Sequence, residues 1–118
     1  MTSHTKLTKK LTKKQAIQES IQLWSMLVNN LKAKTKYTLP NPPDYIQVYT
    51  AGCPACEQCN QDCDKCPIWG HKDYHCMKDF LCYSSADLNL RKQARENILR
   101  DCIEAAKRSH IAYKHLLK

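Results

Sequence analysis

Glycine is nearly absent from this chain: Gly52 and Gly70 are the only two in 118 residues. A loop that cradles phosphate through its backbone needs several glycines in close succession, so a nucleotide-binding loop of that kind is excluded. The metalloprotease pattern H-E-x-x-H and the nucleophile elbow G-x-S-x-G do not occur either. Large apolar side chains are scarce, with 12 Leu, 7 Ile, 2 Val and 1 Phe, so the core is small and needs a staple. No apolar run approaches the roughly 18 residues of a membrane span. Residues 1–15 are charged and lack the apolar stretch of a secretory signal, which predicts a reducing cytosol. In that compartment cysteines are reduced or metal-bound, and a disulfide framework is the second reading.

Cysteine, by contrast, is abundant. Five of the eight fall between positions 53 and 66: Cys53, Cys56, Cys59, Cys63 and Cys66. Cys53/Cys56 and Cys63/Cys66 are C-x2-C pairs, and each such turn lets two thiolates reach one ion. We therefore expect a structural zinc on Cys53, Cys56, Cys63 and Cys66, with Cys59, Cys76, Cys82, His71 and His75 as further candidates. A closed four-ligand site contributes folding energy and leaves no position open for catalysis. Two alternatives stay open. Cys53-x2-Cys56-x14-His71-x3-His75 has zinc-finger spacing, although three cysteines and Pro67 occupy its interior. Cys53-x2-Cys56-x2-Cys59-x3-Cys63 has the spacing of a bacterial iron–sulfur cluster, but Asp64 stands where its proline belongs. Cys102 lies on an apolar stripe and reads as a core residue.

Two amphipathic segments flank this region. Thr12 and Gln15 form a capping-box pattern. Ile17, Ile21, Trp24, Val28 and Leu31 then recur at three and four residues, predicting a helix over 12–35 with Trp24 in the core. Pro40, Pro42 and Pro43 end the helical pattern. Residues 40–83 read as the cysteine-rich loop, with 45–49 too short to make a firm strand. Ser84 with Asp87 resembles a helix start, and 84–117 read as a second helix. Its stripe is Leu90, Ala94, Ile98, Cys102, Ala105, Ser109, Ala112 and Leu116, widened by Leu88, Leu99, Ile103, Ala106 and Tyr113. Arg91, Lys92, Arg95, Arg100, Lys107, Arg108 and Lys114 are left for its outer surface. The expected fold is thus mainly α: two long helices packed antiparallel, an irregular metal-binding loop between them, and a flexible basic tail at 1–11.

The net charge of +8 is uneven. Residues 1–36 hold eight Lys against one Glu, residues 37–82 hold three Lys against six acids, and residues 83–118 hold eight cations against four acids. Basic ends suit a polyanion, and Lys9, Lys10, Lys13, Lys14, Arg91, Arg95, Arg100 and Arg108 are the candidate phosphate contacts. Most aromatics lie in the acidic middle, which fits packing or a protein-binding surface better than base stacking.

Several of these letters resemble a group of small cysteine-rich proteins of tailed bacteriophages. The likeness rests on Ile21-Gln22-Leu23-Trp24, on Cys53-Pro54-Ala55-Cys56 and Cys63-Asp64-Lys65-Cys66-Pro67, on Cys76, and on a basic closing helix. Cys59 and Cys82 stand outside the pattern. The resemblance implies an accessory protein made in the cytoplasm of an infected bacterium, and it transfers no catalytic residue to this chain. The expected function is non-enzymatic binding of a host or phage protein of nucleic-acid processing or defence. Direct nucleic-acid binding and a small iron–sulfur protein are the alternatives, and no membrane association is expected.

Overall fold

The computed structural model describes residues 12–40, Pro54, 66–68 and 82–117. Among them two α-helices pack against each other, α1 (Lys13–Val28) and α2 (Leu88–Arg108), with short 3-10 turns at Lys36–Thr38 and Lys114–Leu116 and no strand. The segment 45–49 and the tail 1–11 lie outside the described residues. No described helix is long and apolar enough to cross a membrane.

The start of α1 follows from two side chains. Thr12 Oγ1 accepts a hydrogen bond from the Gln15 amide at 3.0 Å, and Gln15 Oε1 accepts from the Thr12 amide at 3.1 Å. Two of the amides that a helix start leaves without partners are thereby satisfied. The end of α1 comes earlier than the expected residue 35. Asn29 Nδ2 donates to the Ser25 carbonyl at 3.0 Å, and Asn30 Nδ2 donates to the Met26 carbonyl at 2.7 Å. The Asn29 amide keeps its helical bond to Ser25 at 3.1 Å, but the Asn30 side chain occupies the Met26 carbonyl while the Asn30 amide turns to Leu27 at 3.4 Å, which halts the helix well before the prolines.

The start of α2 is also shifted. Asp87 Oδ1 accepts from the amides of Asn89 and Leu90 at 2.9 and 3.3 Å, which makes Asp87 the cap and places Ser84 outside the helix. At the other end the Ile111 amide donates to the Ala106 carbonyl at 2.8 Å and the His110 amide donates to Lys107 at 3.2 Å. These are the paired bonds of a Schellman stop. They require a left-handed residue, and His110 supplies it with φ 56°. The expected helix over 84–117 is therefore 21 residues long, and the chain leaves it to form a second short turn.

Ile17, Ile21, Leu23, Trp24 and Leu27 of α1 meet Ile98, Cys102, Ala105 and Ala106 of α2 in one core. Each large apolar side chain taken out of water contributes roughly 1.5–3 kcal/mol. Ala16, Ser20, Ala94 and Ala105 are buried and small, which lets the helices approach closely. Trp24 and Cys102 are core residues as expected, at 1% and 0% exposure. The α2 stripe needs correction at both ends: Leu88 and Leu90 are exposed, as are Ser109 and Ala112. After α1, Ala33 and Leu39 return to the same core.

Candidate metal centre and basic surfaces

Of the four expected zinc ligands, Cys66 is described. It is buried and belongs to the core cluster, together with Ile68, which is wholly inaccessible. Pro54, inside the first C-x2-C pair, is also fully buried. Arg108 Nη2 donates to the Ile68 carbonyl at 3.4 Å, tying 66–68 to the last turn of α2. Cys66 and Ile68 are thus seated against the helix pair. Cys53, Cys56, Cys59, Cys63, Cys76, His71 and His75 lie outside the described residues. Cys82 is partly buried just before α2, and Cys102 is in the core between the helices. Among the described residues no group of three or more His, Cys, Asp or Glu is arranged to hold a metal ion.

The candidate phosphate contacts separate into two kinds. Lys13, Lys14, Arg100 and Arg108 are exposed, while Lys9 and Lys10 lie outside the described residues. Arg91 and Arg95, expected on the outer surface, face inward instead, and Arg95 has no exposed area. Arg95 Nε donates to the Tyr83 carbonyl at 2.9 Å. Its Nη1 donates to Leu27 at 2.8 Å and Asn30 at 3.2 Å, and its Nη2 to Ala33 at 2.6 Å and Lys34 at 3.4 Å. A guanidinium has five N–H groups, and here each has a carbonyl. Four of those carbonyls, Leu27, Asn30, Ala33 and Lys34, belong to the end of α1 and the turns after it, where exposed acceptors and the negative pole of the helix dipole both favour a cation; the fifth, Tyr83, lies just before α2.

Arg91 extends the same device. Its Nε donates to Ser85 at 2.8 Å and its Nη1 to Leu31 at 2.6 Å. Burial and the neighbouring charge of Arg91 lower the pKa of Arg95 to about 10, with Tyr83 opposing, so Arg95 remains charged at neutral pH. Tyr83 lies against both the guanidinium and Trp24, its ring centre 5.7 Å from Arg95 Cζ and 5.2 Å from the Trp24 ring at 60°. Such tilted aromatic pairs and cation–π contacts add about 0.5–1.5 kcal/mol each. Burial pushes the Tyr83 phenol above its ordinary value; a backbone hydrogen bond at Lys36 and the Arg95 charge act the other way.

Sequence reasoning missed this cluster because it counted arginine as polar and assigned it to solvent. A signal was present: residues 91, 95, 98, 102 and 105 share one helical face, so both arginines continue the buried stripe.

The outward side of α2 has a groove of about 300 Å3, lined by Glu96, Leu99, Arg100, Ile103, Glu104 and Lys107. Leu99 and Ile103 pack partly against the core and are partly open to solvent. Charges of both signs rim them. Set against known families, curated proteins and solved structures, the chain finds a match in none of the three.

Proposed function

We propose that this chain is a non-enzymatic, zinc-stapled helical module that acts by binding another macromolecule. Its foremost partner is a host or phage protein of nucleic-acid processing or defence, met in the cytoplasm of a bacterium infected by a tailed phage. The helices run antiparallel in this reading, and the cysteine-rich segment is the metal loop between them. Supporting that course, Gln18 near the start of α1 reaches the Ala112 carbonyl beyond α2, whereas Leu27 near the end of α1 meets Arg95. Supporting the staple, Cys66 and Pro54 are buried in a chain poor in large apolar residues.

The observation that carries the binding role is the α2 groove. Two half-covered aliphatic side chains within a ring of mixed charge offer what a protein partner uses: a small apolar anchor with a polar rim.

Native mass spectrometry with elemental analysis of freshly reduced protein tests the staple. Bound zinc is expected in the wild type and its loss in Cys56→Ser and Cys66→Ser; iron with visible absorbance would replace zinc by the iron–sulfur alternative. The partner reading is tested by co-purification from infected cells. Leu99→Asp with Ile103→Asp should lose the co-purifying protein while keeping the metal. Retention of the same partner by that variant would refute a role for the groove.

A further inference from the structure

The structure brings two acid-free stretches of the sequence, 12–18 and 105–117, to one end of the helix pair. Residues 12–18 contain two Lys and no Asp or Glu; residues 105–117 contain two Lys and one Arg and again no acid. Gln18 Nε2 donates to the Ala112 carbonyl at 3.1 Å, and α1 packs on the turn Lys114–Leu116. Lys14 precedes Gln18 by one helical turn and shares its face. Lys114 follows Ala112 by two residues. Lys13, Lys14, Lys107, Arg108 and Lys114 are all exposed.

Two of these cations stand where stability alone would not place them. Lys13 and Lys14 occupy the first turn of α1, which contains no acidic residue. The positive pole of a helix disfavours cations there by roughly 0.3–1 kcal/mol each, and an arriving anion relieves that repulsion. At the end of α2, Lys107 and Arg108 are in favourable places, and Glu104, one turn earlier, is the acid nearest to them in sequence.

We propose that this end of the molecule is a nucleic-acid surface, on which Lys14 and Lys114, from opposite ends of the sequence, contact the phosphate backbone without reading bases. Cations drawn from two separated segments form a surface rather than a single charged strip, which suits a row of phosphates. A membrane partner fits less well, because membrane affinity grows with buried apolar area. Among the described residues, Leu117 is the single large apolar side chain exposed in this part of the chain. The surface goes beyond the protein-binding groove and shares only Lys107 with it, so failure of one does not decide the other.

The test uses the 118-residue chain, freshly reduced, and fluorescence anisotropy with a labelled DNA duplex of about 20 base pairs. Each phosphate contact contributes about 0.9 to the slope of log affinity against log salt. Lys14→Gln with Lys114→Gln should therefore flatten the slope by about 1.8 and weaken binding roughly 30–100-fold near 0.1 M salt. The control pair Lys32→Gln with Lys92→Gln removes the same charge from exposed positions elsewhere, and should weaken binding by about threefold or less. Equal losses in the two pairs would overturn the proposal, as would the absence of duplex binding by the wild type at low salt. Equal or tighter binding of the wild type to polyglutamate or to phosphatidylserine vesicles would also overturn it, by assigning the surface to an acidic protein or a membrane. The wild-type salt slope needs no variant, so the proposal remains falsifiable even if a substituted chain misfolds.

Discussion

The two ends of the helix pair hold cations in opposite ways. Where α1 finishes, Arg91 and Arg95 are buried and committed to backbone carbonyls. Where α1 begins, Lys13, Lys14 and Lys114 are exposed. Formal charge is therefore a poor guide to which residues can meet a partner. A guanidinium on a three-carbon stem can close a helix end from a neighbouring helix, because its five donors match a cluster of orphan acceptors. A lysine on the first turn of a helix has no such cluster to serve, since the groups exposed there are themselves donors.

Removing Arg95 should be the most damaging change that follows from this contrast. Arg95→Met keeps much of the aliphatic volume but removes all five guanidinium bonds; Leu27 and Asn30 retain a backbone donor, while each buried carbonyl left without one costs about 1–3 kcal/mol. We expect a loss on the order of 4 kcal/mol or more in urea unfolding, enough to leave the fold marginal. Arg91→Met, with two carbonyl partners, should cost about 2 kcal/mol. If Arg95→Met unfolds at the wild-type urea midpoint, the two ends do not differ as described.

The opposite end should tolerate change and even gain from it. His110 holds a left-handed backbone in the Schellman stop, a conformation that glycine adopts without a Cβ penalty. His110→Gly is expected to stabilise by about 1 kcal/mol, and a lower melting temperature for that variant would refute the assignment.

A smaller effect, on the pH dependence alone, sharpens the account of the Arg95 cluster. The folded pKa of Tyr83 is raised. Above pH 10 the unfolded phenol therefore gives up its proton first, and stability falls as pH rises through the folded value. Arg95 has a lowered folded pKa of about 10. Between that value and its unfolded pKa the unfolded chain holds more protons, so its contribution to stability rises with pH. Tyr83→Phe should flatten the alkaline decline measured by chemical denaturation at stepped pH. An unchanged decline would show that Tyr83 is not the group responsible.

Local chemistry was readable where a cap pair or a helical period marked it. Thr12 with Gln15 announced the α1 cap, and the three-and-four spacing of Ile17, Ile21 and Trp24 announced the buried face. Ala94, Ile98, Cys102 and Ala105 did the same for α2. The Asn29–Asn30 stop was less legible, because asparagine lowers helix propensity only slightly and the visible prolines came later. Of the candidate metal centre, the spacing of Cys53, Cys56, Cys63 and Cys66 was plain in the sequence, and the burial of Cys66 beside Ile68 was not. Burial there depends on a surface supplied by helices distant in the chain.

By itself, then, the order of residues determined the two amphipathic helices, the first cap, the inward face of α1, the middle of that of α2 and the crowding of thiols along the sequence between them. These depend on periodicity and on bonds spanning three or four residues. Only the tertiary structure decided that Arg91 and Arg95 turn inward, that Leu88 and Leu90 face solvent, and that lysines about a hundred positions apart share one end of the molecule. The reason is physical. Whether a charged side chain is worth burying depends on the acceptors waiting for it, and those acceptors lie some sixty residues away on another segment.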